Sequence, residues 1–203
     1  MRKCLPLLAL SVLVPALLAG AALTPRPAQA EKAAFGTYRI DGVHSSAVFR
    51  IRHNGIAPFY GRFNDLSGEF VLAEDFEDSE VRVEVAVDSV DTANSRRDGH
   101  LKSPDFFNAV QYPTIVFVSK EITKKDAETF TLTGELELHG KKQDVTAEVR
   151  FLGTGGSADE GLRAGFGCEL TIDRTDFDVG TGFGEDALSH DVTVLLGIQG
   201  VKS

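Results

Sequence analysis

Five histidines, His44, His53, His100, His139 and His190, are the side chains best suited to metal ligation or proton transfer, and their spacing favours neither. No two stand at the i, i+3 or i+4 separation that puts ligands on one helix face. On a strand, residues nine apart such as His44 and His53 face opposite sides. Cys168 has no second cysteine near it, and the C-x-x-C-H haem signature is absent. No metal and no cofactor is expected. The G-x-S-x-G nucleophile elbow is missing, and Ser157 lies in a loose glycine-rich stretch with no helix after it. The carboxylates are numerous and scattered, as on solvated strand faces, so no acid–base pair stands out. Gly180-Thr181-Gly182-Phe183-Gly184 has the look of a phosphate loop but lacks the lysine and the strand–loop–helix setting, and it reads as a flexible strand connection. Cys168 falls with Phe166 and Leu170 on an apolar strand face, where a thiol behaves as a small inert hydrophobe. These residues point to no catalytic machinery, and the chain is expected not to be an enzyme.

The elements that must position these side chains are strands. From Tyr38 onward the dominant pattern has period two, the mark of strands with one buried face. Val81, Val83, Val85 and Val87 alternate with Arg82, Glu84, Ala86 and Asp88; Phe130, Leu132, Leu136 and Leu138 alternate with Thr131, Thr133, Glu135 and Glu137. Val145, Ala147, Val149 and Phe151, and the set from Leu162 through Ala164, Phe166, Cys168 and Leu170 to Ile172, repeat it. Clean alternation argues against a parallel sheet between helices, whose strands would be continuously apolar. Turn chemistry at Asn54-Gly55, Gly140-Lys141-Lys142 and Gly153–Gly156 separates the runs and implies antiparallel neighbours. Eight strands are predicted, near 37–53 with a break around Gly42, then 58–73, 79–90, 114–123, 128–139, 142–153, 161–173 and 187–201. Residues 92–110 lack the alternation, and Ser103-Pro104-Asp105 offers a helix start, so one or two short helices are predicted there, covering one end of a barrel. The 153–160 stretch reads as a loose loop.

The chain opens with Arg2 and Lys3, an apolar run from Leu5 to Leu23, and Ala28-Gln29-Ala30, the three parts of a cleavable secretory signal. Residues 1–30 are expected to leave, with Glu31 the mature start and no stable membrane anchor remaining. Removing those 30 of the 203 residues leaves 173, enough for one domain, residues 31–203, with a sizeable core. Loss of Arg2, Lys3 and Arg26 takes the formal net charge from −9 to −12. Such an acidic chain excludes nucleic acid and anionic membrane surfaces as partners, since both need clustered Lys and Arg. With Cys4 gone, the mature chain has only Cys168 and no internal disulfide, so the fold rests on its apolar core. An eight-stranded barrel either fills with side chains or holds one small ligand, and periodicity leaves these two alternatives open.

Several separated motifs narrow this. Tyr38-Arg39-Ile40-Asp41, Val43-His44-Ser45 and Phe49-Arg50-Ile51-Arg52-His53 resemble the start of the YceI-like family, as do Tyr60-Gly61-Arg62-Phe63 and Ser67-Gly68. Arg97-Asp98-Gly99-His100-Leu101 with Phe106-Phe107, then Tyr112-Pro113 and Phe117, is similar to its central signature, and Gly134-Glu135-Leu136-Glu137-Leu138-His139-Gly140 to its hairpin. Tyr38 stands where the family often has tryptophan, and Glu137 where it often has threonine. The resemblance covers roughly 37–201. It implies an all-β, extended, eight-stranded antiparallel lipocalin-like barrel, found mainly in bacterial periplasms, that binds polyisoprenoids, isoprenoid quinones or fatty-acid derivatives.

On that resemblance the expected lipid-binding lining is Ala47, Phe49, Ile51, Val83, Val85, Ile115, Phe117, Leu136, Val149 and Phe166, all on dry strand faces. His53, Arg97, Asp98 and His100 are the expected polar groups near a ligand head, with an Arg97–Asp98 ion pair bracing the helical cap as the plainer reading of those two. The function expected is a periplasmic binding protein, secretion being the alternative location, that encloses an isoprenoid or other long-chain lipid for transport, storage or stress protection. An enzyme acting on a lipid or lipid-linked substrate, and an interaction module for a membrane redox partner, are the alternatives. A partly paired strand edge would offer a route to a homodimer.

Overall fold

The alternation at Val81, Val83 and Val85 turns three branched side chains toward a common interior, while Arg82 and Glu84 pair outside at 2.7 Å. Eleven strand segments repeat this arrangement: β1 (Gly36–Ile40), β2 (Ser46–His53), β3 (Ala57–Phe63), β4 (Leu66–Leu72), β5 (Glu80–Ala86), β6 (Val90–Asp91), β7 (Thr114–Lys124), β8 (Thr129–Leu138), β9 (Lys141–Ser157), β10 (Gly161–Asp173) and β11 (Leu188–Lys202). The computed structural model describes residues 34–157 and 161–203; the expected signal, residues 1–30, lies outside the described residues. The one α-helix among the described residues, α1 (Ser95–Leu101), follows β6, and three short 3₁₀ turns stand at 76–78, 87–89 and 174–177.

All pairings are antiparallel, and β1 with β2, β3 with β4, and β5 with β6 each form one interrupted strand of the wall. The result is the eight-stranded closed barrel, running in chain order around the ring. Closure is made by β11, whose one edge pairs with β10 while the other takes β2 (Leu196 opposite Ala47) and then β1 (Gly200 opposite Ile40).

The interruption between β1 and β2 is held by polar groups that replace ladder bonds. Asp41 N–H donates to the Gln199 carbonyl at 2.8 Å, and Gln199 N–H donates to Ser45 Oγ at 3.0 Å. The Asp41 carboxylate accepts from Arg163 Nη1 at 2.6 Å, contacts His44 Nδ1 at 2.8 Å and accepts from Val43 N–H at 3.1 Å. The Arg163 guanidinium, seconded by His44, holds this carboxyl well below the usual carboxylate range.

Two sequence expectations need correction. The α-helix starts not at Ser103 but eight residues earlier, capped by Asn94, whose side chain accepts from Arg97 N–H at 3.1 Å. Ser103 instead closes turns, its carbonyl accepting from Phe106 and Asn108 N–H, and the positive φ of Asn108 stops any helix there. Phe106 and Phe107 leave these turns toward different partners, Phe183 at 5.2 Å and Phe63 at 5.5 Å between ring centroids. Residues 153–157 are not loop but the end of β9, with Gly153 opposite Gly165 and Leu152 the extra residue of a bulge. Glycine composition suggested looseness; the backbone ladder to β10 decides otherwise.

The Asp41 carboxyl has a lowered pKa in the folded state, so its stabilisation is complete above the unfolded value of about 3.9 and is lost as pH falls through the folded one. Asp41→Asn is expected to reduce stability at pH 7 by about 1 kcal/mol, allowing for solvent screening of a part-exposed pair. Denaturant titrations should show that difference shrinking below about pH 4; a constant gap down to acid pH would contradict this role.

Candidate functional site

Two buried clusters line the barrel. One runs from Tyr38, Phe70 and Leu72 through Val83 and Val85 to Phe63 and Val90, the other is Phe106, Leu138, Phe177 and Val179. The interior holds a cavity of about 720 Å³ lined almost wholly by inward aliphatic and aromatic side chains. That volume suits a drug-sized or larger ligand.

The lumen stays open because several phenylalanine rings lie against inward-facing glycines instead of projecting across it. A Cβ on Gly61 would stand 2.2 Å from Phe49 Cζ, and one on Gly134 2.4 Å from Phe117 Cζ. In each case the ring occupies the space that a neighbouring side chain would fill. With any larger residue there, the ring would have to swing into the lumen.

The mouth is built by the β2–β3 hairpin, α1, the 103–112 turns and the 174–187 connection. His53, Arg97, His100, Arg174 and Phe183 all reach the cavity wall here. Arg97 lies over the Phe59 ring at 4.3 Å, covering part of β3 that has β2 alone as its strand partner over Ala57–Gly61. Its Nε donates to Thr92 Oγ1 and its Nη2 to the Thr92 carbonyl, both at 2.8 Å. Asp98 accepts from Thr92 N–H at 2.8 Å and from the Thr92 hydroxyl. The expected Arg97–Asp98 ion pair is therefore corrected: among the described residues both side chains bind the buried Thr92, which a direct pair would leave unsatisfied. His100 Nε2 contacts Asp105 Oδ2 at 3.2 Å, and its ring meets Phe106 edge-on at 5.0 Å.

All ten apolar positions inferred from the sequence lie on the cavity wall, as do His53, Arg97 and His100 at its mouth; Asp98 is turned away toward Thr92. Sequence reasoning missed Arg174. Only 2% exposed, it donates to five carbonyls: Ser189 from Nε, Val179 and Gly180 from Nη1, Phe183 and Leu188 from Nη2, all at 2.7–3.0 Å. Burial pulls its pKa below the ordinary arginine value, and the carbonyl dipoles supply the compensation. A signal existed, since Arg174 continues the inward parity of Leu170 and Ile172. The inward glycines carried the same signal: Gly61 stands between Phe59 and Phe63, Gly134 between Leu132 and Leu136.

Apart from Arg97, Arg174 and the two histidines, the cavity wall is uncharged among the described residues. Cys168 faces the cavity, and burial pushes its thiol up to about 11, so it is protonated near pH 7. Among the described residues no three His, Cys, Asp or Glu side chains converge as metal ligands.

The sequence profile of the YceI-like domain matches residues 38–199. Protein YceI of Escherichia coli is 38% identical over 168 residues, 81% of this chain and 86% of its own. A Campylobacter jejuni YCEI protein superimposes with a TM-score of 0.68 at 29% identity, covering 75% of this chain and 91% of that one. A polyisoprenoid binding domain from Saccharophagus degradans, implicated in plant cell wall breakdown, shares the fold at 18% identity with a TM-score of 0.63, covering 83% and 99%.

Arg174→Met should strand five carbonyls and lower stability by roughly 3–5 kcal/mol. Amide exchange should quicken first in residues 179–189; unchanged protection there would refute the clamp. Gly61→Val is expected to keep the barrel, cost about 1–3 kcal/mol and drive Phe49 inward. Uptake of an apolar fluorescent probe should then fall, whereas full uptake would show that the glycine does not keep the lumen open.

Proposed function

The chain belongs to the YceI-like family, and on that premise we propose that it is a binding protein whose barrel encloses a long apolar molecule, a polyisoprenoid, an isoprenoid quinone or a fatty-acid derivative. The observation that supports this most directly is the 720 Å³ apolar lumen inside an otherwise strongly acidic protein. An empty apolar space of this size forfeits the dispersion contacts of its whole lining, and a chain lipid restores them. At about 0.8 kcal/mol per buried methylene, some 20 carbons gross roughly 16 kcal/mol before ordering costs, while nanomolar affinity needs about 12. Binding therefore requires no covalent or catalytic step.

In this reading the ten wall residues from Ala47 to Phe166 hold the chain. His53, Arg97 and His100 stand where a polar head would emerge, and Asp98 acts on the head only through Thr92 and Arg97. The N-terminal signal pattern supports export, a mature protein starting at Glu31 and work in the periplasm. There a soluble barrel would carry, store or protect a molecule too apolar to cross water unshielded. The absence of any carboxylate from the cavity wall among the described residues, and of a nucleophile motif from the sequence, favours binding over catalysis.

Mature protein, gently purified and extracted with organic solvent, should yield a chain lipid by mass spectrometry at up to one equivalent. The delipidated protein should take the same compound back. Preparations that are empty every time and bind no prenyl or acyl chain would end this reading.

A further inference from the structure

The elements around the mouth are held very unequally. Arg174 ties the 174–187 connection through five carbonyls, and Asn54 N–H, donating to the Ala187 carbonyl at 2.9 Å, joins that connection to the β2–β3 hairpin. The 103–112 turns are anchored by Phe106, only 7% exposed and packed with Phe177 and Val179. α1 is the exception. Of its seven residues five are exposed, and Asp98 and Leu101 are half-buried.

The sequence of α1 makes it weak as well. A helix of about two turns is unstable by itself, and a glycine in its interior costs about 1 kcal/mol more against alanine. Gly99 is such a glycine. Ala93, just ahead of the Asn94 cap, is held at φ 58°, a left-handed conformation that strains a residue with a Cβ. The closed position rests on Arg97 and Asp98 meeting Thr92, on Arg97 lying over Phe59, and on the exposed contact of His100 with Asp105.

Yet α1 stands where the wall is incomplete. Over Ala57–Gly61 one edge of β3 pairs with β2, while β6 takes up the other edge only at Arg62 and Phe63. Arg97 covers Phe59 in that gap, and Arg97, His100 and Leu101 line the cavity beside Ala57, Pro58 and Phe59. His100 also completes the ring group at the mouth, 5.0 Å from Phe106 and 6.2 Å from Phe183 between centroids. Melting α1 would uncover the free edge of β3 and withdraw one ring of the three.

We propose that α1 is a gate, which melts as a unit and lets a lipid tail pass along the unpaired edge of β3 into or out of the lumen. This rests on the enclosed-lipid reading and adds the route of entry. In the closed state the rim is rigid, and passage waits on opening. Free and loaded protein open by the same local unfolding, so helix stability sets both rates and leaves affinity alone.

Gly99→Ala is the test. A Cβ there meets no neighbouring atom within 4 Å, and Gly99 stands outside the cavity lining, so the variant strengthens the helix without touching the lumen. Stopped-flow mixing of delipidated mature protein with cis-parinaric acid, a fluorescent fatty acid, should show association and dissociation each slowed about fivefold, with Kd changed less than about twofold. Hydrogen exchange of the Asp98 and Lys102 amides, which donate to the Asn94 and Asp98 carbonyls, should slow by the same factor. Asn94→Ala removes the cap and should speed both rates and the exchange. Slower exchange with unchanged binding rates means that the lipid passes elsewhere; it overturns the gate and leaves the carrier reading standing. So does α1 exchange as slow as that of the barrel strands in the unaltered protein, or a change in one rate alone. A protein that binds neither parinaric acid nor any prenyl alcohol overturns both the gate and the reading beneath it.

Discussion

Every other feature of this protein depends on the pairing of β11 with both halves of the first interrupted strand. With Leu196 opposite Ala47 and Gly200 opposite Ile40, the sheet closes and its inward faces meet one another instead of a second layer. In a closed wall of eight strands, side chains of ordinary size nearly fill the lumen. Whether space remains is then decided by a few residues. Gly61, Gly134 and Gly200 let Phe49, Phe117 and Phe70 lie back against the wall, and the space remains.

Closure also creates a problem at the mouth, where the connection from β10 to β11 brings backbone polar groups next to an apolar cavity. Buried polar atoms must be paired or they cost more than the packing around them gains. Arg174 meets five carbonyls of the 179–189 stretch, and Thr92 gathers Arg97 and Asp98. Among the described residues no buried side-chain nitrogen or oxygen lacks a partner. These groups make the rim rigid without making the cavity polar. The result is a lumen whose polar lining, His53, Arg97, His100 and Arg174, gathers at one end, while Phe70, Phe76, Phe130 and Phe166 gather at the other.

The exterior contributes through charge more than through contacts. Pairs such as Lys120–Asp144, Lys142–Glu135 and Arg150–Glu128 are exposed and individually worth little. Acidic residues outnumber basic ones in the chain, 30 to 21, while the interior, where Cys168 stays a neutral thiol, is lined almost wholly by apolar side chains.

Period two is a property of one strand at a time, which is why Val81, Val83 and Val85, or Phe166, Cys168 and Leu170, revealed their inward faces before any fold was known. Local polarity likewise sufficed to mark the break near Gly42 and the acidic outer surface. Other features arise between segments distant in the chain. Ser103-Pro104-Asp105 has the chemistry of a helix start, yet the Ser103 carbonyl takes both Phe106 and Asn108 N–H and Asn108 has a positive φ, so a turn formed. Gly153–Gly156 has the composition of a loop, yet β10 lay alongside and a strand formed. Arg174 and the inward glycines follow strand parity in the sequence, but their meaning depends on which carbonyls and rings arrive from other strands. The sequence alone determined an alternating antiparallel barrel and its dry faces, because alternation is local. Only the tertiary structure decided that the barrel is hollow, because a void is set by how side chains from different strands share one space.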